Sequence, residues 1–169
     1  MSMLTDPEMK EVIIDICDES SAIYDQIEAM LEEYEDEPCR KKLENFSQTI
    51  DRVMDAVKSI DAHKSGLYCE LGKIISYKAS QCEEKQLLDI VVAVLFDTVD
   101  ILKSMNKNII IAKEEKVYGV NLEAFSTRIQ WLAQRFQNIK MSSISVSDDG
   151  GSVDMNEKSI DDILKGLGL

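Results

Sequence analysis

Proline and glycine are scarce in this sequence. Its 169 residues include two prolines and seven glycines, and between residues 8 and 108 only Pro38, Gly66 and Gly72 interrupt the chain. A β-sandwich or an α/β fold needs turn signals far more often, so both are excluded and long helices are the natural reading. Histidine occurs once, and the four cysteines (Cys17, Cys39, Cys69, Cys82) never form a Cys-x-x-Cys pair. A zinc site needs clustered Cys and His ligands, so no metal site is expected and the cysteines read as reduced thiols of a cytoplasmic protein. Long apolar runs are lacking too. The longest, residues 90–96, falls well short of the roughly 18 residues of a membrane span, and no signal-peptide pattern opens the chain. Positive charge is in short supply, with 19 basic against 32 acidic residues and a formal net charge of −13. Such a surface repels phosphate backbones and anionic lipid, so neither nucleic acid nor membrane is an expected partner. No P-loop, Ser/His/Asp arrangement or complete EF-hand loop is present.

What is there is helical periodicity. A first helix is expected to begin near Thr5-Asp6-Pro7-Glu8, where Thr5 and Glu8 have capping-box spacing. A second over 38–62 carries Leu43, Phe46, Ile50, Val53, Val57 and Ile60 three and four apart, a stripe that packs against near-antiparallel neighbours. A third covers 66–79. Ser80 and Glu83 offer another capping box before a fourth over 81–111, whose middle is apolar nearly all round and so belongs at the bundle centre. A fifth over 122–140 repeats the stripe with Leu122, Phe125, Ile129, Leu132, Phe136 and Ile139, and requires a second helical surface, in the bundle or in a homodimer mate. The expected architecture is all-α: an antiparallel helical bundle of four to five helices over residues 1–141, then a flexible linker over 142–158, then a tethered helix over 159–169.

That last helix is the most informative segment. The Ser/Asp/Gly-rich linker has no apolar period. Beyond it Ser159 is an N-cap, Asp161 and Asp162 sit in the first turn where the macrodipole favours them, and Ile160, Ile163, Leu164 and Leu167 share one face. So short a helix does not hold together alone in water, so it must dock, and an i, i+3, i+4, i+7 face laid in a groove is a standard mode of peptide recognition. The alternative is that it folds back onto its own bundle. The ending Asp161-Asp162-Ile163-Leu164-Lys165-Gly166-Leu167-Gly168-Leu169 resembles the C-terminal peptide of the CheZ family of chemotaxis phosphatases, and is similar to the segment by which flagellar FliM proteins bind CheY. This resemblance implies that Ile160, Asp161, Asp162, Ile163, Leu164, Leu167 and Leu169 bind a CheY-like response regulator. Residues 9–110 resemble the histidine phosphotransfer domains of CheA-type kinases, but without a histidine in the middle of the second helix; His63 lies past the end of its stripe and lacks the family spacing, and reads as a solvated interhelix residue.

Dephosphorylating an aspartyl phosphate needs little covalent work from a helper protein; orienting a water in line with the phosphorus does most of it, and a glutamine amide suffices. CheZ-type enzymes use Asp-x-x-x-Gln on a helix. That pattern is absent here, and the closest match is Glu44-Asn45-Phe46-Ser47-Gln48. The resemblance therefore implies Gln48 as water orienter and Glu44 as a contact to the regulator, on a helix face shared with Asp51 and Asp55; a merely solvated polar face is the plainer alternative. Glu83 with Gln86, and Trp131 among Gln130, Gln134 and Gln137, are secondary candidates, read more simply as a cap and a core edge. The chain would need no cofactor of its own, and any Mg²⁺ would belong to the regulator. The expected function is thus a chemotaxis accessory protein of flagellar motility that binds a phosphorylated CheY-like regulator and promotes its dephosphorylation. The alternatives are a non-catalytic adaptor that binds a response regulator or flagellar switch partner, and a scaffold subunit whose tail binds something unrelated.

Overall fold

The computed structural model describes residues 2–143 and 159–169, and among them there is no strand. After two 3-10 turns (Met3–Thr5 and Pro7–Met9) come six α-helices: α1 (Lys10–Asp36), α2 (Arg40–Ser59), α3 (His63–Ser80), α4 (Lys85–Ala112), α5 (Leu122–Ser143) and α6 (Ile160–Leu167). Most of the linker expected over 142–158 lies outside the described residues.

The first four helices form an up-down-up-down bundle in which α1 packs on α2 and α4, and α3 on α2 and α4. Short connections force consecutive helices to run antiparallel. The α2 stripe drives this closure: Leu43, Phe46, Ile50, Val53 and Val57 are all buried. On α3 the burial runs nearly all round, through Gly66, Tyr68, Cys69, Leu71, Gly72, Ile74 and Ile75, because this helix is covered by α2, α4 and α6. The middle of α4 is indeed central, with Leu87, Val91, Val94, Leu95, Val99 and Leu102 inaccessible between its neighbours. The α5 stripe finds its second surface within the same chain. Phe125, Ile129, Leu132 and Phe136 are buried where α5 lies on α4, and the Phe125 ring meets Tyr68 of α3 with centroids 6.1 Å apart.

Polar contacts set the register. Across α1 and α4 the buried Asn106 amide lies 3.2 Å from the Cys17 carbonyl oxygen, 2.8 Å from Ser20 Oγ and 3.0 Å from Ser21 Oγ. Lys103 reaches Asp25 at 2.9 Å and also pairs with Glu28. Between α4 and α5, Asp97 receives Arg128 at 3.0 Å and Glu84 receives Arg135.

Two caps differ from expectation. At the chain's start the Asp6 carboxylate, not Thr5, accepts from the Glu8 backbone N–H at 3.0 Å, because Pro7 begins a 3-10 turn one residue later than the box requires. Ser80 does not open α4. It is the buried last residue of α3, and its hydroxyl bonds back to the Tyr77 carbonyl, a common habit of serine in a final turn. At the α1–α2 turn Lys42 caps the end of α1, donating to the terminal carbonyls of Glu33 (3.3 Å) and Glu37 (2.6 Å). No helix among the described residues is long and apolar enough to cross a membrane.

Candidate functional site

Two loci carry the candidate residues. The first is the outer face of α2. The inward stripe consumes Leu43, Phe46, Ile50 and Val53, and helical periodicity then turns Gln48 and Asp55 fully outward, with Glu44 and Asp51 at the margin. Ser47 fixes the rotation of this face, since its hydroxyl donates across to the Lys73 carbonyl of α3 at 3.1 Å. Gln48 is exposed, and its amide has no hydrogen-bond partner among the described residues. Glu44, one turn earlier, leaves about a third of its side chain accessible (32%) and sits 3.4 Å from Lys41 Nζ. Asp51 is bound to Lys73 at 3.0 Å. The face predicted from spacing therefore exists. Within it, the two acids at the margin are each paired with a lysine, which leaves the Gln48 amide and the Asp55 carboxylate as the groups free to bond something from outside.

The secondary candidates fall elsewhere. Glu83, just before α4, is exposed and pairs with Arg40 of α2 at 3.4 Å, and Gln86 points to solvent in the first turn of α4. Trp131 is half-buried on α5, and the Arg135 guanidinium lies over its ring, 5.4 Å from the centroid, so it is a core edge. His63 opens α3 exposed, with Nε2 3.7 Å from Asp61, and no phosphoacceptor setting surrounds it. A groove of about 780 Å³ runs between the end of α1 and the first half of α4, floored by Tyr34, Leu88, Val92 and Phe96 and rimmed by Glu35, Glu83 and Asp89. Among the described residues no cluster of His, Cys, Asp and Glu is grouped to hold a metal ion.

The second locus is α6, whose N-terminal end is built as the sequence foretells. Ser159 Oγ accepts from the Asp162 backbone N–H at 3.2 Å, and Asp161 and Asp162 are exposed in the first turn. Gly168 closes the helix at φ +77°, a left-handed conformation that glycine adopts without steric cost, and the Leu169 N–H then reaches back to the Leu164 carbonyl at 2.9 Å. Of the two seats the sequence left open for its apolar face, the structure shows the intramolecular one: α6 lies on α3 and α5. Ile160, Ile163 and Leu164 are buried there at 6%, 0% and 4% exposure, while Leu167 and Leu169 are half-buried. The approach is close enough that a Cβ on Gly166 would stand 3.1 Å from Leu67 Cδ1.

The receiving surface is what sequence reasoning missed. Tyr68 of α3 is buried, and that burial pushes its hydroxyl up to about 12. The signal was present: apolar or small residues run 65–69 without a polar break, more than two flanking helices require. No protein-family model, curated protein or solved structure matches this chain.

Proposed function

We propose that this protein is a cytoplasmic accessory protein of chemotaxis signalling that binds a phosphorylated CheY-like response regulator through α6 and promotes its dephosphorylation. The observation that carries the reading is the exposed, unpartnered Gln48 amide on a packed helix, one turn from a carboxylate. The packed helix fixes the Gln48 backbone and its outward direction, so that only the side-chain rotamers remain to be ordered when a regulator docks. Against a docked regulator the amide carbonyl accepts a hydrogen bond from water, the water oxygen attacks phosphorus in line, and both water protons leave on the phosphate. The P–O bond to the aspartyl oxygen breaks, the aspartate leaves as carboxylate, and inorganic phosphate is released. Glu44 contacts the regulator's surface, exchanging its Lys41 partner for one across the interface. The Mg²⁺ that neutralises the phosphoryl oxygens belongs to the regulator.

Non-catalytic binding of a response regulator or flagellar switch partner is the second reading, favoured by the Lys41–Glu44 pair, which makes the α2 face look like an ordinary solvated surface. Phosphate release from phosphorylated regulator separates the two. Wild-type protein is expected to accelerate release, and Gln48→Ala to lose most of that acceleration, by analogy with the 10²–10³-fold effects of removing a single positioned polar group. No acceleration by wild-type protein leaves the adaptor reading; acceleration that survives Gln48→Ala moves catalysis off α2.

A further inference from the structure

A helix of eight residues has one apolar stripe, and in α6 that stripe is spent on the body. Ile160, Ile163 and Leu164 are together the face that a partner groove would take and the face buried on α3 and α5. These two uses exclude each other sterically, because residues buried to 6% or less in one cleft offer almost no area to a second. We infer that α6 is a switch with two mutually exclusive seats. Seated on α3 and α5 it is held in reserve, and a partner captures it only from the released state. This rests on the proposed role of α6 in binding a regulator.

Three features fit a seat that releases. The docked helix is capped at both ends by its own residues, through Ser159 and Gly168, so its local hydrogen bonds need nothing from the body and survive transfer to another groove. No ion pair or side-chain hydrogen bond joins α6 to the body among the described residues, and Asp161, Asp162 and Lys165 remain exposed, so only apolar contacts have to be broken. The seat is also partial, since Leu167 and Leu169 keep accessible area from which a competing groove can begin to engage. The reserve weakens partner binding by the fraction of time α6 spends released. A seat occupied about 90% of the time costs about tenfold in apparent Kd.

Leu67 is the handle for a test, because it is half-buried on α3, touches Gly166, and lies outside the peptide. Leu67→Asp should empty the seat without altering the partner-binding sequence. In a first arm, a fluorescent peptide of residues 159–169 is titrated with the full chain whose own α6 is unseated by Ile163→Asp, its helix content first verified by circular dichroism. Saturable binding that Leu67→Asp abolishes is expected, and no binding to the chain with Leu67 intact overturns the seat. In a second arm, the full chain and its Leu67→Asp variant are titrated with a phosphorylated CheY-like regulator. The variant should bind about tenfold tighter, and equal affinity overturns the switch. In a third arm the same peptide is titrated with the regulator alone. Absence of binding there overturns the regulator reading and this switch with it, even when the first arm shows the seat itself to be real. As a folding check, circular dichroism of Leu67→Asp should retain the helix content and cooperative melt of the wild type.

Discussion

Gly72 is where α3 comes closest to its neighbours, and adding one methyl group there tests the packing directly. A Cβ at this position would stand 2.8 Å from Ile50 Cδ1 of α2 and 3.4 Å from Thr98 Cγ2 of α4, and both partner side chains are fully buried. In a solvent-exposed helix interior, Gly→Ala stabilises by roughly 0.5–1 kcal/mol. Here the gain is opposed by overpacking, which typically costs about 1–3 kcal/mol in a filled core. The overlapping atom is the end of an isoleucine, but burial on every side leaves it little room to swing away. Gly72→Ala is therefore expected to destabilise the fold by about 1 kcal/mol, the difference of these two effects. Ile50→Val removes the colliding Cδ1 and alone costs about 0.5–1.5 kcal/mol. Combined, the two substitutions should cost about 1–2 kcal/mol less than their sum, because the methyl gained fills the space of the methyl lost. Urea unfolding of the four proteins, followed by far-ultraviolet circular dichroism with the m-value held constant, measures the cycle. A stabilising Gly72→Ala, or additivity of the pair to within about 0.5 kcal/mol, would refute the close approach of α2 and α3.

Other expectations can be checked by routine means. Asn106→Ala removes the buried amide that donates to Ser20 Oγ and the Cys17 carbonyl across the α1–α4 seam and should cost about 1–3 kcal/mol in the same unfolding assay, although Ser20 keeps its own bond to the Cys17 carbonyl, whereas Ser21→Ala, on the accessible side of the amide, should cost less. Thiol labelling at pH 8 should modify exposed Cys39 first and half-buried Cys82 more slowly. Cys17, pushed up by burial to about 11, and Cys69, pushed to about 12, should react only on unfolding; fast labelling of either would mean that α1 or α3 is loosely packed. Partial burial, then Glu28 and Asp97, raise the Asp100 carboxyl above its ordinary value, so its ionised form disfavours the fold at neutral pH. Asp100→Asn should accordingly raise the melting temperature by a degree or two at pH 7, given the small effect of most surface changes. That gain should fade as the pH falls through the carboxylate range, because the protonated acid no longer differs in charge from the amide.

The helices were legible because their stripes are long and regular: Leu43 through Val57 on α2 and Phe125 through Phe136 on α5 are buried as the three-and-four spacing requires. Caps were less legible where two residues compete for one role. Thr5 and Asp6 are adjacent oxygen-bearing side chains ahead of Pro7, and only the geometry of the turn selects Asp6. On the α2 face, periodicity was enough to turn Gln48 outward. It could not show that Glu44 and Asp51 each hold a lysine, because Lys73 comes from another helix and the Lys41 rotamer is not written in spacing. For α6 the sequence carried the amphipathic face and the Ser159 cap but was silent on the seat, since an apolar stripe specifies what it needs to bury and not where.

The Asn106 amide joins residues 85 to 89 positions apart, while the hairpins α1–α2, α2–α3 and α3–α4 pair near neighbours in the chain. Hairpins of this kind close quickly because little loop entropy is lost, and the α1–α4 seam must wait for all of them. If the seam forms after the rate-limiting step, damage at Asn106 leaves the refolding rate nearly untouched and appears almost wholly as faster unfolding. The polar contact that fixes the register of the bundle is then also its clasp, governing how long the folded protein lasts more than how fast it forms.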